Sequence, residues 1–295
     1  MYKYLIKIDN TFSNPAKVIL EERAYPTLER KFNSIYQKLL EDAYDFNHHI
    51  KEPTVEYNLS QITNSNLDID TTLINFMKKS HKDNNLLESL QNKIQDMFPN
   101  HIIVYVDGSK LEDGRSGIAL YIPDYLTSQA NRVSDGLTVY TIEATAILEA
   151  LKFANKHLIH NPVILSDSLE VLEDLKRGRS RKRPKLFQSI HAVSELFSNR
   201  ISVTWIPSHI LPEHNVADNL ARAATRQNIT IMIHQEIKDV EAVIQTNLNK
   251  EWLKNWENYT KDKPYKAVFS FTPKGYSFNI KNRSMETMIN RLRLH

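Results

Sequence analysis

Apolar positions in the first hundred residues recur at helical spacing. Leu28, Phe32, Ile35, Leu39 and Tyr44 predict a helix opened by Pro26. Residues 46–70 are polar, rich in Asn, Ser, Thr and Asp, and read as a connection. A second helical stretch starts at TTLINFM and runs to about Phe98, with a break near Asp83-Asn84-Asn85. From residue 101 the period changes. Ile102 to Val106 is an unbroken apolar run, the mark of a strand buried on both faces. GIALYI and Leu137 to Thr141 (LTVYT) follow as the second and third strands of an antiparallel meander. Helical spacing returns from Glu143 to His157, with Ala144, Ile147, Leu148, Leu151 and Ala154 on one face. Then come a strand from Pro162 to Ser166, a short helix from Leu169 to Lys176, a helix opened by Pro184, a strand from Ile201 to Ile206, and a helix from Asn215 to Gln227.

The order β-β-β-α-β-α-α-β-α predicts an α/β fold. Its five-stranded mixed sheet has three antiparallel strands, then two parallel ones, and helices flank it. This domain occupies residues 101–228, and the flanks are additional segments. Residues 1–100 are helical or irregular. Residues 229–295 hold a helix with Trp252 and Trp256, a hairpin turning at Pro273-Lys274-Gly275, and a basic terminal helix.

Composition narrows the classes. Apolar residues make up 41% and charged residues 25%, which fits a globular chain rather than a disordered one. There is no cysteine, so disulfides, thiol nucleophiles and zinc ribbons are excluded. The expected setting is intracellular and reducing, in nucleus or cytoplasm. The N-terminus lacks the apolar core of a secretory leader, and no run approaches the ~20 apolar residues of a membrane span, so no membrane partner is expected. The net charge of +3 does not demand a nucleic acid. Lys176 to Lys185 (KRGRSRKRPK), however, is basic with no acid. It is a phosphate-binding handle, a solvated charge run or a nuclear-import signal.

Four acidic residues carry the chemistry. Asp107 and Asp167 each end a buried strand, whereas Glu143 and Asp218 sit near the starts of helices. Singly, each has a plain reading. Asp107 fits an Asp-Gly turn, Asp167 a helix N-cap, and Glu143 and Asp218 are first-turn acids that complement a helix dipole. For the last helix, Asn215 is the expected cap, leaving Asp218 to face a cleft. Glu149, well around the helix from Glu143, should be replaceable. Gly108 and Ser109 are small enough for a substrate backbone to come close to Asp107. Together the four acids lie where one sheet edge collects them, and such a cluster is tolerable once divalent cations sit within it. His209, in the loop IPSHILPEH, can move a proton near neutral pH, and by chemistry His214 can do so equally.

Residues 101–228 resemble the type 1 ribonuclease H domain. YVDGSK, TIEATAILEAL, LSDSLEVL and WIPSHILPEHNVADNLARAA carry the likeness, and the I-P-S-H and A-D-x-L-A motifs of the last look most like domains of non-LTR retrotransposon polyproteins. The resemblance implies cleavage of the RNA strand of an RNA–DNA hybrid by two Mg²⁺ ions, with Mn²⁺ as a substitute. It implies Asp107, Glu143, Asp167 and Asp218 as metal ligands, with His209 assisting product departure. The loop between His209 and Asp218 is one residue shorter than in that pattern. The tail also looks like the region that follows the nuclease there, and the chain stops where relatives often continue toward a Cys/His cluster. A reverse transcriptase module in a parent polyprotein is an implied partner, although residues 1–100 show no polymerase motif. Two other readings stand beside the enzyme: a catalytically silent nucleic-acid-binding module of a retroelement polyprotein, and a protein-interaction role for the same fold.

Overall fold

The computed structural model describes residues 66–79, 85–178, 180 and 183–260. The predicted helix after Pro26, the hairpin at Pro273-Lys274-Gly275 and the terminal helix lie outside the described residues. The chain divides into two compact units, Met1–Val243 and Ile244–His295. Everything that follows concerns the first.

In chain order the strands are β1 (Leu67–Asp70), β2 (Ile102–Lys110), β3 (Ser116–Ile122), β4 (Thr127–Val133), β5 (Pro162–Ser166), β6 (Ile201–Trp205) and β7 (Ile229–Ile231). The helices are α1 (Leu73–Lys79), α2 (Leu86–Met97), α3 (Val139–Lys156), α4 (Leu169–Lys176), α5 (Pro184–Ser194), α6 (Pro212–Ala224) and α7 (Ile237–Thr260). No described helix is long and apolar enough to cross a membrane.

The strands form one sheet in the order β1-β6-β5-β2-β3-β4-β7. Strands β2, β3 and β4 run antiparallel, while β5 and β6 join β2 in parallel. The expected mixed five-stranded sheet is therefore its centre. Two short edge strands from the flanks extend it, β1 parallel to β6 and β7 parallel to β4. The polar connection read over residues 46–70 thus ends in a strand.

The apolar run of β2 serves both faces of the sheet. Val104 and Val106 join a core with Ile118, Leu120, Ile142, Ile147, Leu151 and Phe187, under α3 and α5. Tyr105 joins the opposite core with Leu73, Leu90, Ile94, Val163, Leu165 and Leu211, under α1, α2 and α6. Burial of one such aliphatic side chain is worth roughly 1.5–3 kcal/mol.

The third strand of the meander differs from the reading of the sequence. LTVYT is no strand: Thr138 caps α3, its side chain accepting from the Thr141 backbone N–H, and the helix begins at Val139. The third strand is the more polar TSQANRV, which follows the short 3₁₀ turn Pro123–Tyr125. β-branched residues favour strands only weakly against a side-chain cap and a long apolar helix face.

A buried polar network anchors this end of α3. Asp239, fully buried at the start of α7, accepts from the Thr138 N–H at 2.9 Å, the Thr138 hydroxyl at 2.8 Å and the Thr141 hydroxyl at 2.7 Å. Arg183 donates to the same two hydroxyls, lies 3.7 Å from the Asp239 carboxylate, and stacks over the Tyr140 ring at 4.3 Å. Arg183 is therefore a buried structural cation and no part of an exposed phosphate handle. Nearby Arg177 pairs with Glu173 and Asp174, while Arg179, Arg181 and Lys182 lie outside the described residues.

Glu236 adds to this junction by accepting from the Leu186 N–H at 3.1 Å. Burial, more than the neighbouring Asp239, pushes its carboxyl up from 4.5 to about 7, against the pull of the Leu186 and Lys185 N–H groups and Arg183. A carboxyl whose pKa rises on folding lends stability at low pH and loses it as pH climbs through the folded value. Replacing Glu236 with Gln keeps an acceptor for Leu186 and removes that loss. In urea unfolding, Glu236→Gln should gain ~2 kcal/mol on wild type between pH 4 and pH 8; parallel pH profiles would refute the assignment.

Candidate metal centre

Register places the first two acids. The parallel pairing of β2 with β5 runs to Tyr105 opposite Leu165. Asp107 and Asp167 each follow two residues later, so both carboxylates leave on the face of Tyr105 and Leu165, which α6 covers. Asp167 does not cap α4, whose N-cap position is Ser168. It is held instead by the loop after β6: the Ser208 hydroxyl donates to its carboxylate at 2.8 Å, and the Trp205 indole N–H donates to its carbonyl at 3.1 Å.

Two glycines let the helices bring in the rest. A Cβ at Gly108 would stand 2.7 Å from Ile142 Cγ2 and 3.1 Å from the Glu143 nitrogen. The first turns of α3 therefore lie directly on β2, and Glu143 reaches the strand beside Asp107. The small residue after Asp107 admits the chain's own helix, not a substrate backbone. At Gly117 a Cβ would meet the Ala221 carbonyl oxygen at 2.4 Å, so α6 lies equally close on β3. That helix starts at Pro212, earlier than expected, with Leu211 rather than Asn215 at the N-cap. Asp218 is consequently in its second turn, with His214 one turn before it and Arg222 one turn after, on a common face.

Electrostatics reports the convergence. Burial, reinforced by Asp167 and Asp218, pushes the Asp107 carboxyl up to about 8, against the opposing pull of Arg222 and the Gly108 N–H. Burial first, then Asp107, Asp167 and Asp218, hold the Glu143 carboxyl well above the usual range, against a hydrogen bond from Gly108. The charges of Asp167 and Asp218 thus act at both Asp107 and Glu143. Glu149, the control, pairs with Lys152 at 2.7 Å.

The two histidines part company. His209 is exposed, in the left-handed region at φ 59°. His214 is 1% exposed, with Nε2 3.7 Å from Asp107 Oδ1. Donor atoms of Asp107, Asp167 and His214 lie within 4.8 Å of one another, a group that could hold a metal ion. Glu143 and Asp218 are outside this tight trio, although their charges are felt in it. The Glu143 Oε2 atom is buried without a hydrogen-bond partner. Hard carboxylate oxygens, mutual repulsion and an orphaned acceptor fit divalent cations such as Mg²⁺ or Mn²⁺. The sequence predicts this helix from Asn215, which leaves His214 outside it; a start at Pro212 puts His214 and Asp218 four apart on one helix.

Residues 105–224 match the protein family described as reverse transcriptase-like. No curated protein matches the chain. Among solved structures, the chain is similar to the RNase H1 of the halophilic archaeon Halobacterium salinarum, at 20% identity and TM-score 0.37, covering 42% of this chain and 97% of that one. It is similar to the N-terminal RNase H domain of a Mycobacterium tuberculosis protein, solved as a fusion with maltose binding protein, at 23% identity and TM-score 0.36, over 42% and 94% of the chains. An RNase H1 designated LC11, solved in complex with an RNA/DNA hybrid, is similar at 21% identity and TM-score 0.35, over 42% and 96%.

In metal-free protein the crowded acids should cost stability as pH rises, since a carboxyl raised from 3.8 to about 8 is favourable in the fold only while protonated. With chelator at pH 9, Asp107→Asn should unfold at higher urea than wild type, by ~1–3 kcal/mol, and the gap should shrink toward pH 4. Excess Mg²⁺ should raise wild-type stability and leave the variant unchanged; the same response in both would count against a cation at Asp107.

Proposed function

We propose that this reverse transcriptase-like domain, whose fold is ribonuclease H-like, hydrolyses the RNA strand of RNA–DNA hybrids at a two-metal centre. The observation that carries the reading is the meeting of Asp107, Glu143, Asp167 and Asp218 at one end of the sheet, each altering or feeling the charge of the others. Such a group has little use as packing. Buried carboxylates with raised pKa values mark sites where charge is held ready for a ligand.

In this reading Asp107 would serve both cations. Glu143 and Asp167 would help hold the one that stabilises the leaving oxygen, and Asp218 would hold the one that activates water. Mg²⁺ bound there would stabilise the attacking and leaving oxygens of an in-line displacement and lower the pKa of the nucleophilic water. Ser208 and Trp205 fix the loop beside Asp167, so that carboxylate is oriented before substrate arrives. His209 stands exposed on the loop leading to α6, where it hands a proton to the departing oxygen as the phosphodiester bond breaks. Hybrid recognition rests on phosphates and 2′-hydroxyls rather than base edges, so cutting is largely independent of sequence. A retrotransposon polyprotein with a reverse transcriptase module is the proposed parent context, supported by the family match.

A labelled hybrid incubated with the full chain and Mg²⁺ tests this. Wild type should cut the RNA strand, and Asp167→Asn should lose at least ~100-fold in rate while still retaining hybrid. Retention without cutting by either protein would favour the silent binding module instead. His209→Ala should slow the reaction less than Asp167→Asn, because other groups or water can protonate the leaving oxygen.

A further inference from the structure

We propose that His214 is a nitrogen ligand of the cation held by Asp107 and Asp167, and that it tilts this position toward Mn²⁺ over Mg²⁺. The inference rests on the metal centre described above, not on which phosphodiester is cut.

Three observations carry it. First, the imidazole is buried, and neither ring nitrogen has a hydrogen bond of good geometry in the protein. A buried imidazole with a ring nitrogen left without a good partner is costly unless a ligand satisfies it. Second, the 3.7 Å between His214 Nε2 and Asp107 Oδ1 is too long for a hydrogen bond. It suits two donors on one ion, which with metal bonds of about 2.1 Å lie no more than ~4.2 Å apart. Third, the imidazole sits one helical turn before Asp218 on α6, the helix that Gly117 admits onto the sheet. The helix that delivers an acidic ligand therefore delivers the nitrogen too.

The alternatives explain less. The 3.7 Å separation of His214 from Asp107 disfavours a hydrogen-bonded charge pair inside the buried centre, and the Val106 carbonyl lies near the ring. Neutral imidazole is the form that binds metal, and a backbone carbonyl near a ligating histidine is a common way to fix its orientation. A histidine serving only as core filling needs no carboxylates beside it.

Nitrogen donors suit first-row transition ions, whereas Mg²⁺ prefers an all-oxygen shell. The test uses Mn²⁺ alone with the full chain, read by electron paramagnetic resonance for binding and for magnetic coupling between the ion and ¹⁴N. Wild type and His209→Ala should bind Mn²⁺ and show the coupling. His214→Asn should lose it, and its preference for Mn²⁺ over Mg²⁺ in competition should fall about tenfold. The wild-type spectrum decides even if that variant folds poorly. Mn²⁺ bound without nitrogen coupling, or coupling that survives in His214→Asn, would overturn the ligand assignment and leave the nuclease reading standing. No Mn²⁺ binding by wild type would overturn both.

Discussion

Strands β2 and β5 run parallel, and the site depends on their register. Strand β2 continues to Lys110, past the end of β5 at Ser166, so Asp107 lies within its strand and not at its end as the sequence suggested. Tyr105 lies opposite Leu165, so the residues two positions later project on one face at one height. A slip of one residue would send one carboxylate to the α3 side and the other to the α6 side. The apolar faces guard against it. Val104 and Val106 are matched to one core and Tyr105 to the other, so a slip would bury Tyr105 where aliphatic residues now pack. Hydrophobic alternation thus does electrostatic work: it holds two like charges near each other.

Helix approach is the second condition. Glu143 and Asp218 come from helices on opposite faces, and each helix meets the sheet at a glycine. Any side chain at Gly108 would displace the α3 backbone near Glu143, and any at Gly117 would push α6 away through the Ala221 carbonyl. Close contact alone does not fix a helix axially. For α3 that role falls to Thr138 and Thr141, which are held between Arg183 and Asp239. The buried charge pair is hydrogen-bonded through both threonines, and it ties Asp239 and the segment before α5 to the turn that precedes Glu143.

The sequence revealed the centre of this design better than its edges. The β2 run and the α3 face were legible, and the four acids stood out as candidates, because burial on two faces and helical spacing leave clear periods. LTVYT misled because its β-branched residues satisfy strand propensity, while its true role depends on Asp239 and Arg183, far away in the chain. TSQANRV was missed because a half-exposed strand beside a short edge strand keeps polar residues. Arg183 looked like one more charge in a basic run, since burial against Tyr140 is a tertiary fact. His214 was visible as an alternative to His209, but only its burial and its distance to Asp107 separate their parts.

These features share one energetic logic. The acids oppose folding when they are charged and unfilled, so the metal-free domain carries a cost at its centre that the surrounding cores and the Arg183–Asp239 network must offset. A cation bound as proposed would remove that cost and add binding energy available only to the folded chain, because the proposed ligands come from separate strands, loops and helices. A site built this way favours occupancy over emptiness. On the proposed assignment its selectivity would depend on His214, the nitrogen donor of the set. An all-carboxylate centre would take whichever hard cation is abundant. One buried imidazole changes that balance while leaving the carboxylates in place, and it does so from a helix already committed to the site by Asp218.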